Sequence, residues 1–302
     1  MNIELSEEAV EYGHQASRAF EAAGGDELVH KAQVAPDTRA ALITPILDEL
    51  GAMDLEPRAD TDQLEAAAAL CRSAGYWALP YPVAERLSRP TDLDADGLVV
   101  IAQRPQAAIG GLKEHWAAVD LDGQRSIATA GPAGAAFVAD LDLESVDQNG
   151  TKDLPLALAL PVWTLLGMLD RALDLAIAHV SIRKQFGQTL SGFQSVQFQL
   201  TDGEVERSGL EMLARHTLWS IGVDRADALD DALALRMAAL EAAEVVFRVT
   251  HQLHGASGFC DETTLSWLSR YSQPLRRLPL GLSATRDVLT RRIGSTGLAA
   301  LS

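Results

Sequence analysis

Cysteine is scarce in this sequence of 302 residues: Cys71 and Cys260 are the only two, too few and too far apart for a disulfide framework. Positive charge is scarce as well, with 25 Lys and Arg against 42 Asp and Glu and a formal net charge of -17. The summed field of such a surface repels phosphate backbones and anionic membranes, which argues against nucleic acid as a ligand. A phosphate-bearing cofactor is still allowed, because a few Arg forks and helix N-termini can hold phosphate locally. No apolar run reaches bilayer length. The longest, from Leu154 to Leu169, is interrupted by Pro155 and Pro161, closed by Asp153 and Asp170, and falls short of the roughly 20 residues a span requires, so it reads as a buried helix. The opening MNIELSEEAVEYG is acidic without an apolar signal core, from which a cytoplasmic location is expected. Also missing are G-x-G-x-x-G, G-x-x-x-x-G-K-[ST] and G-x-S-x-G, the usual marks of dinucleotide folds, P-loop NTPases and serine hydrolases.

What is there is ordinary core-forming composition, 47% hydrophobic, in a chain long enough for two or three compact units. The pattern predicts a mostly α protein with a small β domain. Residues 1–88 read as an N-terminal helical domain, with helical patterns from Thr38 to Leu50 and Thr61 to Ala74, ending in the breaker-rich GYWALPYP at 75–82. Residues 89–153 read as a small β domain, with β-prone runs LVVIA at 98–102, WAAVDL at 116–121 and AAFVADL at 135–141. Residues 154–302 show no strand signal and read as a C-terminal helical bundle, with stretches at 154–184, 193–221, 227–255, about 262–277 and about 283–293. In the third stretch Leu229, Leu233, Met237, Leu240 and Phe247 fall on one face, with Arg225, Asp230 and Glu241 off it.

Two segments carry candidate chemistry. Arg183-Lys184-Gln185-Phe186-Gly187 closes one long helix, and Phe193-Gln194 opens the next. Together they gather a planar guanidinium for phosphate, a stacking surface, a Gly turn and an amide. Taken alone, the first segment also fits a charged helix end with a Gly stop. The second segment, His251-Gln252-Leu253-His254-Gly255-Ala256-Ser257-Gly258-Phe259, ends a later helix. His251 and His254 share a helical face, but with no Cys or carboxylate triplet nearby they favour packing or hydrogen bonding over zinc.

In combination these segments resemble the acyl-CoA dehydrogenase family, where a long helix ends in R-x-x-F-G, a Phe-Gln or His-Gln pair starts its successor, and Q-x-x-G-G-x-G-[FY] ends the helix after that. The plan of N-terminal helices, small β domain and C-terminal four-helix bundle is similar too. The resemblance implies FAD as cofactor, with Arg183 on its pyrophosphate, Phe186 and Gln194 on the ribityl-adenine side, and Gln252 and Gly255 on the adenine half. In that family these groups serve the FAD of a neighbouring subunit.

Dehydrogenation of an acyl-CoA needs a carboxylate to remove the α-proton. The family places it either just ahead of the last helix, here Arg276-Arg277-Leu278-Pro279-Leu280-Gly281-Leu282, or on the first bundle helix, here near Ala157; neither stretch has an acid. The strands that hold the isoalloxazine ring are not recognisable between 89 and 152 either, Gly131-Pro132-Ala133-Gly134 being the nearest Gly-rich turn. The sequence is therefore similar to the subunit without the base in the α2β2 steroid-CoA dehydrogenases of actinobacteria. That resemblance implies no catalytic residue in this chain, a homologous partner subunit supplying the Glu, an acyl-CoA substrate such as a steroid side-chain thioester, and an electron-transfer partner. A non-catalytic scaffold and a flavin monooxygenase on the same fold are the competing expectations.

Overall fold

The computed structural model describes residues 3–296. Five helices come first: α1 (Glu7–Ala22), α2 (Asp26–Val34), α3 (Arg39–Glu49), α4 (Thr61–Tyr76) and α5 (Val83–Leu87). Their starts are set by short-range chemistry. The Ser6 hydroxyl accepts from the Ala9 amide at α1, and the Asp60 carboxylate accepts from the Gln63 amide at 2.8 Å at α4, each meeting a donor that the first helical turn leaves unpaired.

A sheet follows, built from β1 (Gly97–Ile101), β2 (Gln106–Ala107), β3 (Trp116–Asp120), β4 (Gln124–Ala130) and β5 (Ala139–Asn149), in the order β1-β3-β4-β5-β2. β1 and β3 run parallel and the other pairings are antiparallel. Alternation explains why β1, and β3 up to Val119, are apolar on both faces: Val99, Ile101 and Ala118 join the main core, while Leu98, Val100, Ala117 and Val119 pack on Leu154, Ala157 and Leu158 and on Leu229 and Leu233.

The remaining helices are α6 (Leu154–Ile182), α7 (Gln194–Gly222), α8 (Ala228–His254), α9 (Thr264–Tyr271), α10 (Gln273–Arg277) and α11 (Leu282–Thr296). α6 runs unbroken through Pro161. By length and composition it could cross a membrane, but it is mostly buried between α4, α7 and α8. Its contact with α4 requires glycine on both sides. A Cβ on Gly75 would sit 1.8 Å from the Thr164 carbonyl oxygen, and one on Gly167 would sit 1.8 Å from that of Arg72.

An ionic clamp ties α4 to α6 and α7: Arg72 meets Asp170 at 2.7 Å and Glu211 at 3.0 Å, and Arg207 meets Glu211 at 2.7 Å. Burial works to raise the Glu211 carboxyl, but Arg72, Arg207 and Arg215 outweigh it and hold the group at about 2.

Several local expectations need correction. The bundle segment holds a two-stranded hairpin, β6 (Lys184–Gln185) with β7 (Gln188–Thr189), where the pattern gave no strand. Residues 135–137 form a 3-10 turn and the strand begins at Ala139, because Ala136 and Phe137 adopt left-handed φ angles of 50° and 61°. The predicted helix at 262–277 is broken at Ser272 into α9 and α10. α8 is buried on more than the one stripe, since Ala232, Leu235, Ala239, Ala243 and Val246 are buried as well.

Candidate functional site

α6 stops at Ile182, where the Arg183 amide donates back to the His179 carbonyl at 3.0 Å. The β6–β7 register leaves Phe186 and Gly187 as a two-residue turn, with φ of 51° and 86°, the doubly left-handed geometry that tight hairpins prefer. A charged helix end with a Gly stop is therefore not what RKQFG forms. The hairpin closes through the Leu190 amide on the Arg183 carbonyl at 2.8 Å and carries the Phe186 ring out to 91% exposure, edge-on to Phe193 at 6.3 Å.

One small apolar cluster fastens this hairpin to the far end of α8. Ala176 and Val180 of α6, Val196 of α7, and Val249 and Leu253 of α8 pack together with Leu190 and Phe193. Beside it the His179 and His254 rings stack at 4.5 Å. Burial, then His254 and Arg183, pulls the His179 imidazole below its ordinary value, and burial followed by His254 does the same to His251, so both favour the neutral form. His254 Nδ1 lies 2.8 Å from the Thr250 carbonyl and His251 stacks on Phe259 at 4.5 Å. Among the described residues no cluster of three or more His, Cys, Asp and Glu side chains could hold a metal there.

The structure thus brings Arg183, Phe186 and Gln194 to the same end of the bundle as Gln252 and Gly255, and all five are exposed. Gln252 and Gly255 border a groove of about 510 Å³ with His251, Phe259, Arg248 and Arg276 in its walls. Gly255 has a φ of 62° and open space where a Cβ would stand, so a ligand can approach its backbone closely. Flat rings, two guanidiniums, an amide and an uncrowded glycine suit an aromatic base joined to phosphate. Ile182, Phe198 and Phe259 add exposed apolar area at 78%, 59% and 69%, which is typical of a surface that another molecule covers.

A second site lies inside. A chamber of about 110 Å³ is lined by Ala157, Leu158 and Pro161 of α6 and by Leu275, Leu278 and Pro279 ahead of α11. Both stretches in which a catalytic carboxylate was sought therefore face one cavity, and neither contributes an acid. Arg236 of α8 holds the second stretch in place, donating to the carbonyls of Leu275 at 3.2 Å and of Leu278 and Leu280 at 2.6 Å each. Burial brings its guanidinium down to about 10. Arg39, also lowered to about 10 by burial, donates to the carbonyls of Gly110 and Ala108 at 3.1 Å and lies over the Phe137 ring at 4.1 Å. Phe137, Ala136, Tyr271 and Leu278 are also part of the wall of a vestibule of about 530 Å³.

Among the described residues Glu85 of α5 is the one carboxylate lining the inner chamber, and the motif reading passed over it. Its only sequence signal is an acid set among Val83, Ala84 and Leu87 directly after PYP. Arg39 and Arg236 were passed over for the same reason, since their burial depends on segments distant in sequence.

Residues 159–281 match the family described as acyl-CoA dehydrogenase, C-terminal domain. Among curated proteins, the acyl-CoA dehydrogenase FadE28 of Mycobacterium tuberculosis is 32% identical over 132 residues, 43% of this chain and 38% of that protein. The matched stretch thus spans well under two thirds of that relative. Among solved structures, a chain of the ChsE4-ChsE5 complex from Mycobacterium tuberculosis superposes with a TM-score of 0.77 at 16% identity, covering 98% of this chain and 100% of that one. A chain of the Tcur3481-Tcur3483 steroid ACAD G363A variant also gives 0.77 at 16% identity, covering 97% and 99%. At such identities the likeness is one of fold.

Proposed function

We propose that this protein is one subunit of a FAD-dependent acyl-CoA dehydrogenase and supplies cofactor-clamping groups to a site shared with a homologous partner; the match of residues 159–281 to the acyl-CoA dehydrogenase C-terminal domain and the likeness of fold support this reading. The segments 1–88, 89–153 and 154–302 are taken as its helical, β and bundle domains, residues 1–2 and 297–302 lying outside the described residues. FAD is the cofactor, and it supplies the hydride acceptor for α,β-dehydrogenation of an acyl-CoA. Arg183 holds pyrophosphate by charge-assisted hydrogen bonds, Phe186 and Gln194 bracket the ribityl-adenine side, and Gln252 with the Gly255 backbone borders the adenine. The partner provides the Glu that this chain lacks, in an α2β2 assembly, and a separate electron-transfer partner takes the electrons. A steroid side-chain CoA thioester is the substrate class suggested by the steroid ACAD among the similar structures. A cytoplasmic location fits CoA chemistry.

The observation that supports this reading most is that five recognition groups are presented outward at one bundle end while the inner chamber has no acid at either expected position. A vestigial scaffold would have no use for the outward set. The test is Arg183→Ala in the flavin-loaded complex with the partner: FAD retention should fall while both subunits stay assembled. Unchanged retention would remove Arg183 from the site and favour the scaffold.

A further inference from the structure

α7 has small or apolar side chains on two faces, and the fold of this chain covers only one of them. Val196, Gly203, Leu210 and Thr217, each seven residues from the last, are buried against the rest of the bundle. Phe198, Val205 and Met212 repeat that spacing two residues further on, which is about 200° around the helix. They stand on the opposite face, 59%, 63% and 51% exposed, in a ridge about 21 Å long. A surface helix ordinarily turns charged and polar residues to that side.

Gly209 lies in the same ridge, four residues after Val205 and three before Met212, and a Cβ there would meet nothing within 4 Å. Glycine inside a helix costs stability, and here no neighbour within the chain requires it. What a bare backbone allows is the close approach of another chain. A seven-residue apolar repeat around such a point fits a second helix crossing at a shallow angle. The ridge also continues the bundle end described above, since Phe193 at the start of α7 meets Phe186 edge-on and Phe198 follows it.

The rim of the ridge is acidic. Asp202 and Glu206 are exposed along one flank. The arginines of α7 are occupied by carboxylates, Arg207 by Glu204 at 2.6 Å and Glu211 at 2.7 Å, and Arg215 by Glu211 and Glu4. A second copy of this chain would bring two such flanks and two net charges of -17 together. We infer that the outer face of α7 receives a helix of the homologous partner subunit, packed across Gly209, and that Asp202 and Glu206 select a partner with Lys or Arg opposite them over a second copy of this chain. This rests on the shared-site reading above. It adds where the subunits meet and why unlike chains pair.

The test uses the full-length chain co-expressed with a homologous acyl-CoA dehydrogenase that carries the Glu, followed by sedimentation velocity with flavin absorbance recorded. Gly209→Leu strikes nothing in its own chain and improves helix propensity, so the thermal midpoint of the free chain should hold or rise while the Kd of the heteromer rises at least about tenfold. Asp202→Lys combined with Glu206→Lys should weaken the heteromer by about the same factor at low salt, with the difference shrinking at high salt; this pair lies on the exposed rim and tests the surface even if Gly209→Leu folds poorly. If Gly209→Leu assembles as tightly as the wild type and still holds flavin, the interface lies elsewhere and the inference falls while the shared-site reading stands. An unchanged affinity of the charge variant at low salt would overturn the selection of a basic partner. A wild-type chain that pairs only with itself would overturn both the inference and the reading beneath it.

Discussion

The open end of the bundle and the chamber between sheet and bundle are built in opposite ways. At the bundle end Arg183, Phe186, Gln194, Gln252 and Gly255 all face outward, and the cluster of Ala176, Val180, Val196, Val249 and Leu253 beneath them only sets their positions. In the chamber the two guanidiniums turn inward to the protein itself, Arg39 and Arg236 each buried on backbone carbonyls; Glu85 is the carboxylate of its wall, and the two stretches expected to carry a base offer Ala157, Leu278 and Pro279. One region is equipped for something outside this chain. The other is equipped to hold a shape. A subunit that completes a neighbour's cofactor site needs the first and can do without a base in the second.

The largest effect should come from breaking the scaffold common to both regions. Gly167→Ala drives a Cβ into the Arg72 carbonyl of α4, and urea unfolding should show a loss of roughly 3 kcal/mol or more; a change within error would mean that α4 and α6 can separate freely. Arg183→Ala should cost roughly 1.5 to 3 kcal/mol of FAD affinity in the complex, read from flavin release, with the unfolding midpoint of the chain unmoved. Ala157→Glu sharpens the contrast from the other side. A carboxyl forced into that buried position should cost about 2 kcal/mol of stability and leave flavin retention as it was, whereas a flavin loss equal to that of Arg183→Ala would erase the distinction between the regions.

Phe186→Ala should leave the free chain as stable as before, since the ring is exposed. It should weaken assembly with the partner by about 1 kcal/mol, measured by sedimentation. The smallest effect is acid sensitivity of the clamp. Because Glu211 is held at about 2 against an ordinary 4.5, its contribution is present above about pH 4.5 and lost as pH falls toward 2. Asp170, raised by burial, returns part of it. Replacing Glu211 with Gln should flatten stability across that interval.

Much of the architecture was readable in the sequence where one period dominates. The long helices α6, α7 and α8 lie within two residues of their apolar patterns, and LVVIA and WAAVDL coincide with β1 and β3 because those strands are buried on both faces. β4 and the outer part of β5 carry Gln, Arg, Ser, Thr, Asp and Glu on mixed exposure, so neither strand left a full apolar signature. The motif residues at the bundle end were legible because they are local words in the chain. Their assembly depends on the Val249 and Leu253 packing and the His179–His254 stack, which no local pattern states. Glu85, Arg39 and Arg236 were illegible for the same reason in stronger form: each is defined by what surrounds it, and those surroundings come from remote segments.

Native mass spectrometry of this chain co-expressed with a homologous acyl-CoA dehydrogenase that carries the Glu tests the central claim most directly. The account predicts a heteromer with one FAD per pair of unlike subunits and no flavin on this chain alone. A yellow homo-oligomer of this chain that oxidises an acyl-CoA unaided would contradict it.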